Sequence, residues 1–326
     1  MTQQFPRTNV IILTYMRSGS TLTGEMFSQH PDVFYVFEPM HTLKWIWWSQ
    51  KTRLNFFDRP SRMIKSAEDF ARAARDIASG FLRCHPTKID VATLSQFHLG
   101  SSNDTKPYHV CLKKNPGVLK ILDCLPILQK QCMESDVSVI KTIRFPMEAV
   151  ETMMKSNPSL KVIHLIRDPR PTIKSQMSMG RDKWSNLHSY SKEHCLRVLR
   201  DLQATQRLLK SHPNRTKLLL YEDLVVHPVQ NVKDLYSFVG LTYTNETERF
   251  LLSRTNSSEE KHCTTCTQKS NSTLMTLRWR KELDFNRAHV IDGNCKDVYQ
   301  MLGYLPVNTA SELVDMSKSL KNDRKL

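Results

Sequence analysis

Arg17, Ser18, Gly19, Ser20 and Thr21 place a permanent cation, three hydroxyls and a flexible backbone in five consecutive positions. That set suits a phosphate, provided a tight turn gathers successive backbone N–H groups at the start of a helix. It is not a nucleotide-triphosphatase loop, because GxxxxGK[ST] is absent. An ordinary strand–turn–helix with a serine cap is the plain alternative. Further along, Arg167 and Ser175 stand eight residues apart, close enough for a turn and about one helical turn to bring both to one phosphate. Glu38 precedes Pro39 at the end of an apolar run, where a carboxylate can take a proton from a hydroxyl. His41 is the rival base, since imidazole titrates near neutrality. A solvated carboxylate at a turn is the bland reading of Glu38.

The elements that must position these groups follow from apolar patterning. Val10 to Leu13 is a short, β-branched run that reads as a buried strand, central in a parallel sheet. It enters the turn at Gly19, and an apolar helical run follows through Leu22, Met26 and Phe27. Val33–Phe37, Val137–Ile143, Lys161–Ile166 and Thr216–Tyr221 read as further strands. Lys141 lies inside the third of these five strands, Arg144 follows it, and His164 inside the fourth reads as a packed histidine. Helices are expected over Ser66–Cys84, with a capping box from Ser66 and Asp69, after Pro146, over Cys195–Leu209, over Pro228–Val239 before Gly240, and over Val290–Leu302 before Gly303. Residues 85–108 read as loop-prone, and 253–273 as a long loop. Trp45, Trp47, Trp48, Phe56 and Phe57 are interleaved with Lys44, Lys51 and Arg53, which suits either an inserted cap or stacking on sugar rings beside anionic groups. The expected architecture is one α/β domain over 1–326, with 41–136 a cap or insertion on the acceptor side.

The chain has 326 residues and a formal net charge of +15, which favours anionic ligands without naming one. The basic residues are spread out, and no zinc-finger or RNP-like pattern accompanies them, which weighs against nucleic acid. No apolar stretch is long enough to span a membrane and no signal-peptide layout is present, although a core strand starting ten residues in suggests that a targeting segment has been removed upstream. Eight cysteines, at 84, 111, 124, 132, 195, 263, 266 and 295, accompany five N-x-[ST] triplets, at Asn103, Asn214, Asn245, Asn256 and Asn271. Together they favour an oxidising, glycosylating compartment with most cysteines paired. Cys263-Thr264-Thr265-Cys266 lacks the second pair that a zinc site needs, so a local or crossed disulfide is preferred and no metal is expected.

Tyr15-Met16-Arg17-Ser18-Gly19-Ser20-Thr21, His30-Pro31-Asp32-Val33-Phe34-Tyr35 with Glu38-Pro39, Leu165-Ile166-Arg167-Asp168-Pro169-Arg170 with Ser175, Tyr221-Glu222-Asp223-Leu224 and Trp279-Arg280-Lys281-Glu282-Leu283 occur in this order. The ordered set resembles the Golgi carbohydrate 6-O-sulfotransferases acting on N-acetylglucosamine, galactose or N-acetylgalactosamine. Their sulfate donor is 3′-phosphoadenosine 5′-phosphosulfate (PAPS). The likeness covers most of residues 8–40, 137–240 and 274–305. It implies a P-loop-like sulfotransferase fold with a central parallel sheet. It also implies that Arg17, Ser18, Gly19, Ser20, Thr21 and Leu22 hold the 5′-phosphosulfate, and Arg167 and Ser175 the 3′-phosphate. Tyr221 would lie by the adenine, with Arg278, Trp279 or Arg280 closing over the donor. Glu38 and Arg17 become the expected catalytic pair.

The same resemblance implies a glycan or glycosaminoglycan acceptor, possibly anionic, and the Golgi lumen, with a type II membrane anchor upstream. Gln176 stands where relatives commonly carry arginine, and Met40-His41-Thr42-Leu43-Lys44-Trp45 departs from their usual acceptor-side pattern. A glycan-binding protein that has lost turnover is the alternative from another class. A nucleotide kinase is disfavoured by the missing P-loop lysine.

Overall fold

The computed structural model describes residues 7–50, 53–114, 116–256, 267 and 272–322. Strands β1 (Thr8–Leu13), β2 (Val33–Phe37), β5 (Val137–Thr142), β6 (Leu160–Ile166) and β7 (Thr216–Leu220) form a parallel sheet in the order β2-β5-β1-β6-β7. Two short strands, β3 (Arg53–Leu54) and β4 (Arg62–Met63), make a separate antiparallel ribbon. β1 is buried on both faces because its side chains alternate. Ile11 and Leu13 enter one apolar layer with Phe34, Val36, Ile140 and Val162. Val10 and Ile12 enter the other with Tyr35, Val139, Ile163 and Leu165.

Register brings the strand ends to one edge. Leu13 pairs with Thr142 and His164, Phe37 with Lys141, and Ile166 with Leu220. The chain leaves β1 toward the β2–β5 side and later crosses to β6 and β7 on the other. This reversal opens a crevice beyond the carboxyl ends of the central strands, where Arg17, Glu38, Arg144, Arg167 and Tyr221 all emerge.

Several helices fall where their caps place them. Ser66 accepts from the Asp69 N–H at 3.1 Å, and the Asp69 carboxylate accepts from the Lys65 N–H at 3.1 Å, opening Ala67–Leu82. Pro228–Val239 stops at Gly240, with φ 86°. Four expectations need correction. The stretch 85–108 is not mainly loop: it holds the helix Val91–Leu94, capped by Asp90, two short 3₁₀ turns and the start of Lys106–Lys114. The helix expected over Cys195–Leu209 starts earlier and runs over Leu187–Ser211. The last expected helix is two, Phe285–Asn294 and Lys296–Leu302, broken at Cys295. β7 also ends at Leu220, so that Tyr221 opens the helix Tyr221–Val226.

Residues 41–136 are chiefly helical, and Leu43, Ile46, Ile77, Phe81 and Leu128 join the same apolar layer as Ile11 and Leu13. No helix among the described residues is long and apolar enough to cross a membrane. Disulfides join Cys84 to Cys132, Cys111 to Cys124 and Cys195 to Cys295. The Cys263–Cys266 pair and Asn271 lie outside the described residues, whereas Asn103, Asn214, Asn245 and Asn256 are all exposed. Thiol labelling of the secreted, denatured and non-reduced protein should therefore leave Cys84, Cys111, Cys124, Cys132, Cys195 and Cys295 unmodified. Labelling of all six in active protein would refute the pairing.

Candidate active site

The turn out of β1 is built on left-handed backbone at Arg17 (φ 69°) and Gly19 (φ 80°). An L-residue pays roughly 1–2 kcal/mol for that conformation, so Arg17 is held there by its surroundings. Gly19 has a second reason to lack a side chain: a Cβ would sit 2.0 Å from Cδ2 of Tyr221. The Tyr221 ring thus lies directly on the loop. The helix Ser20–Ser28 starts with no side-chain cap and no acidic residue in its first turn. The amides of Ser20, Thr21 and Leu22 precede the first bond of the helix, from Thr23 N–H to the Gly19 carbonyl at 3.3 Å. Ser18 Oγ is buried and has no hydrogen-bond partner among the described residues. A buried hydroxyl left this way costs about 1–3 kcal/mol, and an anion on the loop would satisfy it together with the amides.

Arg17 Nε donates to Ser175 Oγ at 2.9 Å, and Arg167 donates to the Arg17 carbonyl at 3.1 Å. The Arg167 guanidinium stacks on Tyr221, 4.7 Å from the ring centroid, while its buried Nε has no hydrogen-bond partner among the described residues. Arg17, Ser175, Arg167 and Tyr221 therefore form one contact set, drawn from β1, β6, β7 and the helix Pro169–Ser178. Burial, and then repulsion by Arg167, lowers the proton affinity of Arg17. Two crowded guanidiniums with an unpartnered N–H are suited to a phosphate.

Neighbouring groups fix this set. Gln176 Nε2 donates to the Met16 carbonyl at 2.6 Å and its Oε1 accepts from Tyr190 at 2.7 Å, so this residue serves as a brace for the loop. Glu222 accepts from the Asp168 N–H at 3.0 Å and from the Tyr304 hydroxyl at 2.8 Å, tying the end of β7 to that of β6. Burial, and next the charge of Asp168, raises the pKa of Glu222. The brace formed by Gln176 and Glu222 was not legible in the sequence, since neither bond follows from local spacing.

Glu38 follows β2 with φ 48° and is 3% exposed. Its Oε1 accepts from Lys141 Nζ at 2.6 Å, and its Oε2 pairs with Arg144 and faces the Ile143 N–H. Burial raises its pKa, but Lys141 and Arg144 outweigh burial and hold it below 4.5. Lys141 supplied a usable signal: a lysine inside an apolar strand needs a counter-charge. The His41 ring is half-buried against His98, at 4.3 Å between centroids, and burial followed by Arg144 holds its pKa below 6.5.

Three further sequence-selected groups are engaged by other neighbours. Trp279 packs in the core against the Arg170 guanidinium at 4.8 Å, and Arg278 is exposed and paired with Glu282, which also binds Lys174. His164 is fully buried between Tyr15 and Thr205, and burial lowers its pKa to about 3. The packing at Gly19 predicts that Gly19→Ala destabilises the fold by at least about 1–2 kcal/mol, from the backbone alone. Adding Tyr221→Ala should restore the steric share and leave the backbone share. Denaturant titration of both variants would check this, and an unchanged stability for Gly19→Ala would refute it.

Comparison with known proteins gives the family of the chain. The profile of the Sulfotransferase family matches residues 9–245. Carbohydrate sulfotransferase 1 of Danio rerio is 27% identical, over 98% of this chain and 83% of the relative. Carbohydrate sulfotransferase 5 of Homo sapiens is 28% identical, over 96% of this chain and 82% of its own length. Among solved structures, the sulfotransferase domain of the Synechococcus PCC 7002 olefin synthase overlays with a TM-score of 0.47 and 18% identity, covering 90% of this chain and 96% of that domain. With the matched profile spanning the loop, Glu38, Arg167, Ser175 and Tyr221, the chain belongs to the Sulfotransferase family.

Proposed function

We propose that this protein transfers a sulfuryl group from PAPS to a sugar hydroxyl, the 6-hydroxyl of an N-acetylhexosamine or galactose in a glycan or glycosaminoglycan. The observation that carries the reading is the cradle of Arg17, Ser18, Arg167, Ser175 and the uncapped start of Ser20–Ser28, with Tyr221 stacked beneath it. The names of its carbohydrate sulfotransferase relatives support the sugar acceptor. The Golgi lumen, behind a type II anchor, is the placement implied by the resemblance to the Golgi carbohydrate 6-O-sulfotransferases. The donor supplies an activated sulfuryl group, with adenosine 3′,5′-bisphosphate as the leaving group.

The residues divide the work by their position. Ser18, Ser20, Thr21 and the amides through Leu22 hold the 5′ side. Arg17 adds a fixed cation where negative charge grows on the leaving phosphate, so its bond strengthens toward the transition state. Arg167 and Ser175 hold the 3′-phosphate, and Tyr221 lies by the adenine. From the C-terminal segment, Arg278 is the remaining candidate contact, because Trp279 is committed to Arg170 and Arg280 to the carbonyls of Glu312, Leu313, Asp315 and Lys318. Glu38 takes the acceptor proton. Its carboxylate is ionised at neutral pH, as a base must be, although the cations that keep it ionised also weaken its pull on a proton. That pairing is the reason to keep His41, neutral at pH 7, as the second candidate base.

Two measurements test these roles. Arg167→Ala should weaken adenosine 3′,5′-bisphosphate binding strongly and adenosine 5′-phosphate binding far less, as read by calorimetric titration. Equal losses would refute the 3′-phosphate assignment. In single-turnover transfer at saturating PAPS, Glu38→Gln should keep donor affinity while the rate falls roughly 10²–10⁴-fold. Arg17→Ala should lose both donor affinity and rate. A near-normal Glu38→Gln rate with a collapsed His41→Ala rate would move the base to the histidine. Binding of glycans without labelled sugar product from any acceptor would favour a non-catalytic glycan-binding protein.

A further inference from the structure

Tyr304, just past the end of Lys296–Leu302, is buried with its ring packed against Tyr299 at 5.9 Å between centroids. Its hydroxyl donates to Glu222 Oε2 at 2.8 Å. The other oxygen of that carboxylate accepts the N–H of the peptide joining Arg167 to Asp168, at 3.0 Å. Tyr221, the residue before Glu222, stacks on the Arg167 guanidinium, which in turn reaches the Arg17 carbonyl at 3.1 Å. Two adjacent residues thus grip Arg167, one at its side chain and one at its following peptide. Tyr304 holds the second grip in place.

The segment that carries Tyr304 is itself anchored. Tyr304 and Lys321 form an antiparallel bridge, the Leu305 N–H donates to the Leu320 carbonyl at 2.9 Å, and the Asn322 N–H donates to the Gly303 carbonyl at 2.8 Å. Arg280 gathers four carbonyls between Glu312 and Lys318. Two more bonds run from this segment to the ends of β6 and β7. Arg170, held by Asp168 at 2.8 Å, donates to the Leu305 carbonyl at 2.8 Å, and Lys321 pairs with Asp223.

Glu222 is a carboxylate that could harm the site. Among the described residues it is in no ion pair, accepting instead from a peptide N–H and a hydroxyl. Arg167 Nε, buried beside Tyr221, has no hydrogen-bond partner among the described residues. A guanidinium and a carboxylate attract strongly where water is scarce. The two neutral donors on Glu222 keep that pair from forming.

We propose that Tyr304 is a positioning residue for the 3′-phosphate of PAPS: it holds Glu222 on the Arg167–Asp168 peptide, so that Arg167 meets the phosphate and not Glu222. This inference rests on the assignment of Arg167 to the 3′-phosphate and adds the C-terminal segment to that site. Without the hydroxyl, Glu222 turns toward Arg167 and cancels the cation that the phosphate needs.

Calorimetric titration of the full chain with adenosine 3′,5′-bisphosphate and with adenosine 5′-phosphate tests the role. Tyr304→Phe keeps the ring packing and removes the hydroxyl alone. It should weaken bisphosphate binding about 3–10-fold, the net worth of one hydrogen bond, and 5′-phosphate binding by less than about 2-fold. Glu222→Gln removes the competing charge and keeps an oxygen for the Asp168 N–H. In that background, adding Tyr304→Phe should cost bisphosphate binding less than about 2-fold. Equal losses for the two nucleotides, or an unchanged bisphosphate affinity, would overturn the role of Tyr304. An undiminished loss in the Glu222→Gln background would overturn it too, since the hydroxyl would then not act through Glu222. A wild-type chain with no preference for the bisphosphate would overturn the 3′-phosphate reading and this role with it, a failure visible before any variant is made.

Discussion

The turn that takes the chain from β1 into its first helix must bring backbone amides, a cation and hydroxyls to one point within six residues. It does so by holding Arg17 and Gly19 in left-handed backbone, a state that has to be enforced from outside. The enforcement comes from across the sheet. The Tyr221 ring fills the space a Gly19 side chain would take, Gln176 binds the Met16 carbonyl, and Arg167 binds the Arg17 carbonyl. β6 and β7 are therefore as necessary to the loop as its own residues.

Concentrated positive charge is the second theme, and it works against folding. Arg17 and Arg167 share a partly dehydrated space, while Arg144 pairs with Glu38 and Arg197 binds the neighbouring Ile143 carbonyl. Like charges so placed raise the energy of the empty protein and lower it again when anions arrive. The buried pair of Glu38 and Lys141 does the opposite, locking β2 to β5 at the crevice edge. The site thus combines one neutralised buried pair with cations whose field is directed toward ligand.

Much of the fold could be read from apolar runs, because a strand buried on both faces shows itself as an unbroken stretch such as Val10–Leu13. The short helices within 85–108 escaped, since each is fixed by a local cap or by tertiary packing instead of periodicity. At the site, the strand-end motifs located Arg17, Glu38, Arg167, Ser175 and Tyr221, yet could not show that Arg17 binds Ser175. The tie between Glu222 and Asp168 was equally hidden, as was the choice of Glu38 as the partner of Lys141 and Arg144. Such contacts link residues more than 50 positions apart and depend on strand order, which no spacing rule conveys. Trp279 illustrates the converse: a conspicuous residue type in a suggestive segment is packed on Arg170.

The three disulfides among the described residues have an order along the chain as well as in space. Cys111–Cys124 closes 13 residues of chain and lies within Cys84–Cys132, which closes 48, and the cysteines of both precede Cys195. Cys195 must wait 100 residues for Cys295, roughly 5–20 s at ordinary rates of synthesis. The interval spans the synthesis of β7, Tyr221, Glu222 and Trp279. The Cys195–Cys295 bond can therefore close only on a chain that already carries β7 with Tyr221 and Glu222, the later-made part of the bracing around the phosphate loop.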